Sequence, residues 1–375
     1  MAGTSGFGPD QGHQGHQGHQ GHQGHQGHQG HQGHQGHGGY DFDGAGIASA
    51  LITSHDGLIG TFAPPPEPNH LALGDPAHLQ RWSPQVRALM FDQELAARLV
   101  FDFTDPTATV SYLNVTGPAL HPLVSMTRPT EATFAQQLPI VHNYSALRSD
   151  RANEILAQLP GPMAFLTPLS ILRPDRTRWI LELLGAVQRI VQYVQVRFKH
   201  ALACRRPSEY SAQLMPMILT PGHGTLPSGH AGESFAMAYV LSALFDATAF
   251  DAAHKAQVRR LAFDIAARVA QNRIVAGVHF PVDNIAGATL GITLGDLAVR
   301  RMMAEEGAAA ENVASWAFDG TAAPNADFDL HEMFDVAGAT LQATAYLSTP
   351  STNALSDLHS PILNYLWTQA RGELS

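Results

Sequence analysis

The chain holds a single cysteine, Cys204, which excludes an internal disulfide framework. Charge is sparse as well: 14% of the residues are Asp, Glu, Lys or Arg, and the acidic ones outnumber the basic ones by 32 to 22. A net charge of -10 argues against nucleic acid or an anionic membrane as a general partner, so any anion site has to be a local basic pocket. Long apolar runs are missing: no segment offers about 18 uninterrupted apolar residues, and no membrane span is expected. The most apolar stretch, IAGATLGITLGDLAV, is stopped by Asp296. The N-terminal MAGTSGFGPDQGH has no basic region followed by an apolar one, so no signal peptide is expected and the cytoplasm is the expected location. Strand signals are also scarce. ATVSYLNVTG (108–117) reads as a short strand or an extended connection.

What is present is a chain that is 44% hydrophobic and able to bury a sizeable core. Residues 11–37 are nine copies of Gln-Gly-His. Glycine at every third position disfavours helix, and nothing there can build a core, so residues 1–39 are expected to form a disordered tail. The imidazoles of that tract offer weak transition-metal binding as its other reading. Residues 40–375 are expected to form one helical domain. APPPEPNH marks a loop-rich entry, helical patterning starts at 83–102, and 130–159 reads as helices interrupted near Pro139.

The strongest element follows Asp175. Ile180, Leu183, Leu184, Val187, Val191, Val194 and Phe198 form an i, i+3, i+4, i+7 stripe sustained for about six turns. Further helices are expected at 229–246, 251–271 and 281–304, with a last one near 355–371. The fold class expected is all-α, a helical bundle with long loops at one end.

Three stretches at the edges of these helices carry chemistry. In KHALACRRP, Lys199 and Arg206 are seven residues apart, nearly two helical turns, so a continuous helix would put both cations on one face. In an acidic chain such a pair is explained by a bound anion or, more simply, by a solvated helix end. In TPGHGTLPSGHAGESF, Ser228 is a good N-cap. The Gly229 and His230 amides then point out of the positive helix end, and His230 sets an acid/base beside them. In NRIVAGVHFPVDNIAG, His279 and Asp283 are at i, i+4. There the carboxylate can take the Nδ1 proton and leave Nε2 free as nucleophile or ligand. Arg273 can reach the same anion with its planar fork. Together these residues suit binding and chemistry on a tetrahedral oxyanion. Glu233 falls on the helix face of His230 as a structural or tuning group, His200 points away from Lys199, and Cys204 reads as a packing residue. His121 and His142 have no pattern around them.

Lys-x6-Arg-Pro, Pro-Ser-Gly-His and Arg-x5-His-x3-Asp, in this order, resemble the three-part signature of the type 2 phosphatidic acid phosphatase and vanadium haloperoxidase superfamily. The matching core covers residues 175–305. The resemblance implies a helical bundle holding phosphate or vanadate. In it Lys199, Arg206 and Arg273 would hold equatorial oxygens, and Ser228 and the Gly229 amide would add hydrogen bonds. His279 would be the axial group, attacking phosphorus or ligating vanadium, with Asp283 orienting it and His230 as acid/base. Two departures stand out: Asn272 replaces the usual serine before Arg273, and Pro281 stands where several haloperoxidases carry arginine.

The same pocket serves two reactions. As a vanadium-dependent haloperoxidase, the enzyme would use a vanadate cofactor, hydrogen peroxide, halide and a small organic acceptor, with Lys199 polarising the peroxide. His223 resembles the histidine of bromide-preferring relatives, although a loop histidine without a role fits equally. A homodimer is compatible with this reading. As an acid phosphatase it would need no metal and would hydrolyse a phosphomonoester through a phosphohistidine. A non-catalytic oxyanion or metal-binding protein is the third reading. The haloperoxidase reading is the main expectation.

Overall fold

The computed structural model describes residues 45–61, 70–170 and 172–374. The whole of the expected tail, residues 1–39 with the Gln-Gly-His tract, lies outside the described residues. The chain divides into two units, Met1–Leu71 and Ala72–Ser375. In the first, the described helix is α1, Ala45–Leu58.

The second unit is mostly helical. Helix α2 (Pro84–Ala96) starts at Ser83, α3 spans Glu131–Tyr144 and α4 spans Arg148–Ala157. The expected break near Pro139 does not occur. Pro139 lies inside α3, and the chain is interrupted by a short 3-10 turn at Ser145–Leu147.

Helix α5 (Arg178–Leu202) carries the sequence stripe: Ile180, Leu183, Leu184, Val187, Val191, Val194 and Phe198 are all buried. Helices α6 (Gly229–Asp246), α7 (Ala252–Val275) and α8 (Pro281–Met303) follow near the expected bounds, and α9 (Pro361–Gly372) closes the chain. The IAGATLGITLG stretch is buried in α8 against α6. Its glycines explain the close approach. A Cβ on Gly291 would lie 2.2 Å from the Gly232 carbonyl oxygen, and one on Gly287 would lie 2.5 Å from that of Ser228. Only bare backbone lets these two helix starts touch.

The all-α expectation needs correction. Strands β1 (Leu99–Thr104), β2 (Thr107–Asn114) and β3 (Ala119–Thr127) form antiparallel neighbours. With β4 (Glu311–Ala314), β5 (Trp316–Asp319), β6 (Phe334–Asp335), β7 (Thr340–Leu341), β8 (Leu347–Ser348) and β9 (Thr352–Leu355), the main sheet runs β1-β2-β3-β5-β8. Residues 99–102 belong to a strand, not to the helix expected over 83–102. The alternation Ala108, Val110, Tyr112 was a genuine strand signal, and all three side chains are buried. Strands β1 and β3 were also missed, although they are six and nine residues long and pair with the neighbouring β2; β4 to β9 are two to four residues long, and β5 pairs in parallel with the distant β3.

Among the described residues no helix is long and apolar enough to cross a membrane. No group of three or more His, Cys, Asp or Glu among them could hold a metal ion.

Candidate active site

The structure brings the three sequence stretches together at the N-terminal ends of α6 and α8. The Ser228 amide donates to the Asp283 carbonyl at 2.8 Å, which locks the two helix starts to each other.

Lys199 sits in the last turn of α5 and is 3% exposed. Its Nζ donates to the carbonyls of Gly224 (3.1 Å), Thr225 (3.0 Å) and Pro227 (2.5 Å). All three ammonium donors are therefore spent on the loop before Ser228. Burial, and then the Arg206 charge, push its pKa down. Lys199 braces the loop and contributes a field, whereas the resemblance implied a direct hydrogen bond to an anion oxygen.

Arg206 does not share a helical face with Lys199. Helix α5 ends at Leu202, and Ala203 takes a left-handed conformation at φ 48°. A non-glycine residue there is uncommon and costs backbone energy. The turn swings Arg206 out of the helix and back over the site. Its Nη1 donates to His279 Nε2 (2.9 Å) and the Val278 carbonyl (2.8 Å). Its Nε and Nη2 reach the carbonyl (3.1 Å) and Nδ1 (3.0 Å) of His223. Burial lowers the Arg206 pKa to about 10.

Arginine has no acceptor, so the Arg206 contact makes His279 Nε2 a lone-pair nitrogen and places the ring proton on Nδ1. That proton faces Asp283 Oδ2 at 3.0 Å. The same oxygen accepts the Phe280 amide (2.9 Å) and the Thr225 hydroxyl. The Thr225 oxygen is also 3.2 Å from His279 Nδ1. His279 is buried, and burial followed by the Arg206 charge holds its pKa well below the ordinary value. Burial raises the Asp283 pKa despite the two hydrogen bonds that oppose it.

Ser228 is the N-cap of α6, as the sequence predicts, yet its hydroxyl makes no cap bond. It is 1% exposed and has no hydrogen-bond partner. Arg273, also 1% exposed, leaves its Nε unpartnered. Its Nη2 donates to Gln158 Oε1 at 2.7 Å, and burial lowers its pKa to about 10. A buried donor left without an acceptor is costly. Two of them beside a bare helix N-terminus fit a tetrahedral oxyanion, phosphate and vanadate alike. Gly229 lies under Gln195: a Cβ there would come within 2.6 Å of Gln195 Oε1.

The His230 Nε2 lies 3.0 Å from the Gln158 carbonyl. A carbonyl only accepts, so Nε2 carries the proton and Nδ1 holds the lone pair of the neutral ring. Burial, and then Arg273, push the His230 pKa down to about 4. Glu233, one turn along α6, is buried with its carboxylate on Gln188 (2.8 Å) and Gln195 (3.3 Å), and burial raises its pKa. Burial also raises the Cys204 thiol to about 12, which suits a packing residue. His223 is exposed; its Nδ1 is 3.0 Å from Arg206 Nη2, which only donates, so this nitrogen accepts and the Gly224 carbonyl 3.2 Å away is a contact, not a second hydrogen bond. A cavity of about 350 Å³ lined by His223, Lys199, Arg205 and Glu209 adjoins the site.

Two contributors escaped the sequence reading. Thr225 sits inside the second motif stretch and bridges His279 and Asp283. Gln158 follows α4 and holds Arg273, Asn272 and His230. EILAQLPGP looks like any helix end and gave no signal. Asn272 donates its amide to Gln158 Oε1 at 3.1 Å and accepts from Arg151 at 3.1 Å, which ties it to the residue that holds Arg273.

No curated protein matches the chain. A solved structure described as a transmembrane PAP2 type phosphatidylglycerolphosphate phosphatase from Bacillus subtilis is 19% identical. The similarity covers 57% of this chain and 92% of that one, with a TM-score of 0.28. The family model described as the PAP2 superfamily matches residues 180–306, the segment that carries Lys199, Arg206, Ser228, His230, Arg273, His279 and Asp283. Residues 180–306 are thus a PAP2 superfamily domain.

Proposed function

We propose that the chain hydrolyses phosphomonoesters through a phosphohistidine on His279. This reverses the order of the two expectations drawn from the sequence: members of the PAP2 superfamily are mostly phosphatases, and nothing in the comparisons favours the haloperoxidase. The observation that carries the proposal is the fixed tautomer of His279, with Nδ1–H on Asp283 and the Nε2 lone pair turned toward Arg206.

The phosphoryl group is held by the Ser228 hydroxyl, the Gly229 amide and Arg273 Nε. Arg206 exchanges its bond to His279 for a phosphoryl oxygen and so frees Nε2. The Nε2 lone pair attacks phosphorus, and the ester P–O bond breaks as His230 Nδ1–H gives its proton to the leaving oxygen. Asp283 stabilises the charge on the phosphorylated ring. His230 then takes a proton from water, the water oxygen bonds to phosphorus, and the P–N electrons return to Nε2. Anion binding supplies the protonated His230 that the first step requires, because a multivalent anion beside it favours the charged form against the burial and the Arg273 charge that depress its pKa.

A second reading has its own observation, the contact between His223 and Arg206. In that reading Ser228, Gly229, Arg273 and His279 would hold orthovanadate, which would supply the activation of hydrogen peroxide toward halide. A paired assay on metal-stripped protein separates the two. Aryl phosphate hydrolysis that vanadate inhibits, without bromination of a dione, is the expected result. Vanadate-dependent bromination without hydrolysis would overturn it and make His223 the residue that sets halide preference.

A further inference from the structure

Helix α4 lies outside the family match and contains none of the motif residues, yet it touches the end of α7 along its whole length. Arg148 Nε donates to the Val275 carbonyl at 2.9 Å, and Arg151 reaches Asn272 at 3.1 Å. Ile155 packs on Val275, Ala276 and Val278. Gln158, the C-cap residue, ends this contact and is fully buried. Its side-chain oxygen accepts from Arg273 Nη2 at 2.7 Å and Asn272 Nδ2 at 3.1 Å. Its backbone oxygen accepts from His230 Nε2 at 3.0 Å.

We propose that Gln158 is a positioning residue that sets the aim of Arg273 and the tautomer of His230 together. Two separate atoms of one residue hold the two groups. With Nη2 tied to Gln158 Oε1 at 2.7 Å and, at 3.4 Å, to the Ile155 carbonyl, the guanidinium plane is fixed and the buried Nε is among the donors left for the anion. With Nε2–H tied to the backbone, Nδ1 is the only nitrogen of His230 able to carry protons to and from the substrate. The neutral amide suits this position. A carboxylate would pair with Arg273 and cancel the charge the anion needs. The inference rests on the oxyanion-binding reading given above.

The test is a double-mutant cycle on inorganic phosphate affinity, measured by calorimetry on the full chain. Gln158→Met keeps the volume and removes the side-chain acceptor. It should weaken phosphate binding about tenfold or more, in the range seen when an outer partner of a ligating group is lost. The same substitution on top of Arg273→Ala should cost nothing further, because its effect passes through Arg273. Additive losses, or wild-type affinity in Gln158→Met, would overturn the proposal. If Gln158→Met does not fold, Gln158→Glu decides: it retains the acceptors, neutralises Arg273 and should weaken phosphate binding, and wild-type affinity there refutes the role. A wild-type protein that binds no phosphate would remove the oxyanion reading itself, a different outcome from a wild type that binds and a variant that binds equally.

Discussion

Arg206 donates to the very nitrogen of His279 that chemistry requires to be unprotonated, Nη1 to Nε2 at 2.9 Å. The arrangement holds His279 in the tautomer that the proposed phosphohistidine chemistry needs, with Asp283 on the opposite side of the ring. Asp283→Asn keeps the shape but removes the charge that supports a phosphorylated ring. It should lower kcat on an aryl phosphate by about two to four orders of magnitude, by analogy with other His–carboxylate pairs. The KM should change little, because Asp283 does not touch the anion. Since burial raises its pKa, the ionised carboxylate is disfavoured in the folded state, and the melting temperature at neutral pH should not fall. A variant that keeps full kcat would remove Asp283 from the support of a phosphorylated His279.

Gly229 gives a test of the cradle that separates space from strain. In Gly229→Ala the new methyl group collides with the Gln195 side chain, and it is expected to crowd the amide that the proposal gives to the anion. Overpacking of this kind costs about 1–3 kcal/mol. Adding Gln195→Ala should restore most of the thermal stability and none of the sulfate affinity. Recovery of both would mean that Gly229 is needed for packing alone.

Sulfate, which does not titrate near neutrality, reports on the protein's own protons. An anion among Lys199, Arg206 and Arg273 favours the charged form of His230, whose pKa lies near 4, below its ordinary value of 6.5. Between those two values sulfate binding should take up protons, and affinity should fall as pH rises. Calorimetry in buffers of different ionisation enthalpy measures the uptake. Binding without proton uptake would contradict this account of the His230 environment.

The same shift has a consequence for stability. Between pH 6.5 and about 4, His230 is protonated in the unfolded chain and neutral in the folded one. Unfolding then takes up a proton, so its contribution favours folding less and less as pH falls through that window and levels off below it. Relative to His230→Gln, the wild-type melting temperature should therefore drop from pH 6.5 toward pH 4. Parallel melting curves across that range would show that His230 is not held neutral.

Local physics made much of this legible in the sequence. The α5 stripe emerged buried as its period demanded, because one face of a helix recurs every 3.6 residues whatever it packs on. Ser228 before Gly229 marked a helix start, and the spacing of His279 and Asp283 marked a contact within one turn. The sheet was less visible because its C-terminal strands are short and pair with distant partners.

What only the tertiary structure decided concerns partners far apart in the chain. Whether Ser228 spends its hydroxyl on its own helix or leaves it free depends on what packs around it. That Arg206 returns to His279 depends on a left-handed turn at Ala203, which no propensity predicts for alanine. Gln158 lies 72 residues from His230 and 115 from Arg273, and its amide has no value in isolation. Residue identity and spacing determined which groups could act on an oxyanion. Packing between helices determined which donors are already satisfied and which remain for it, because a hydrogen bond is directional and a hydrophobic period is not.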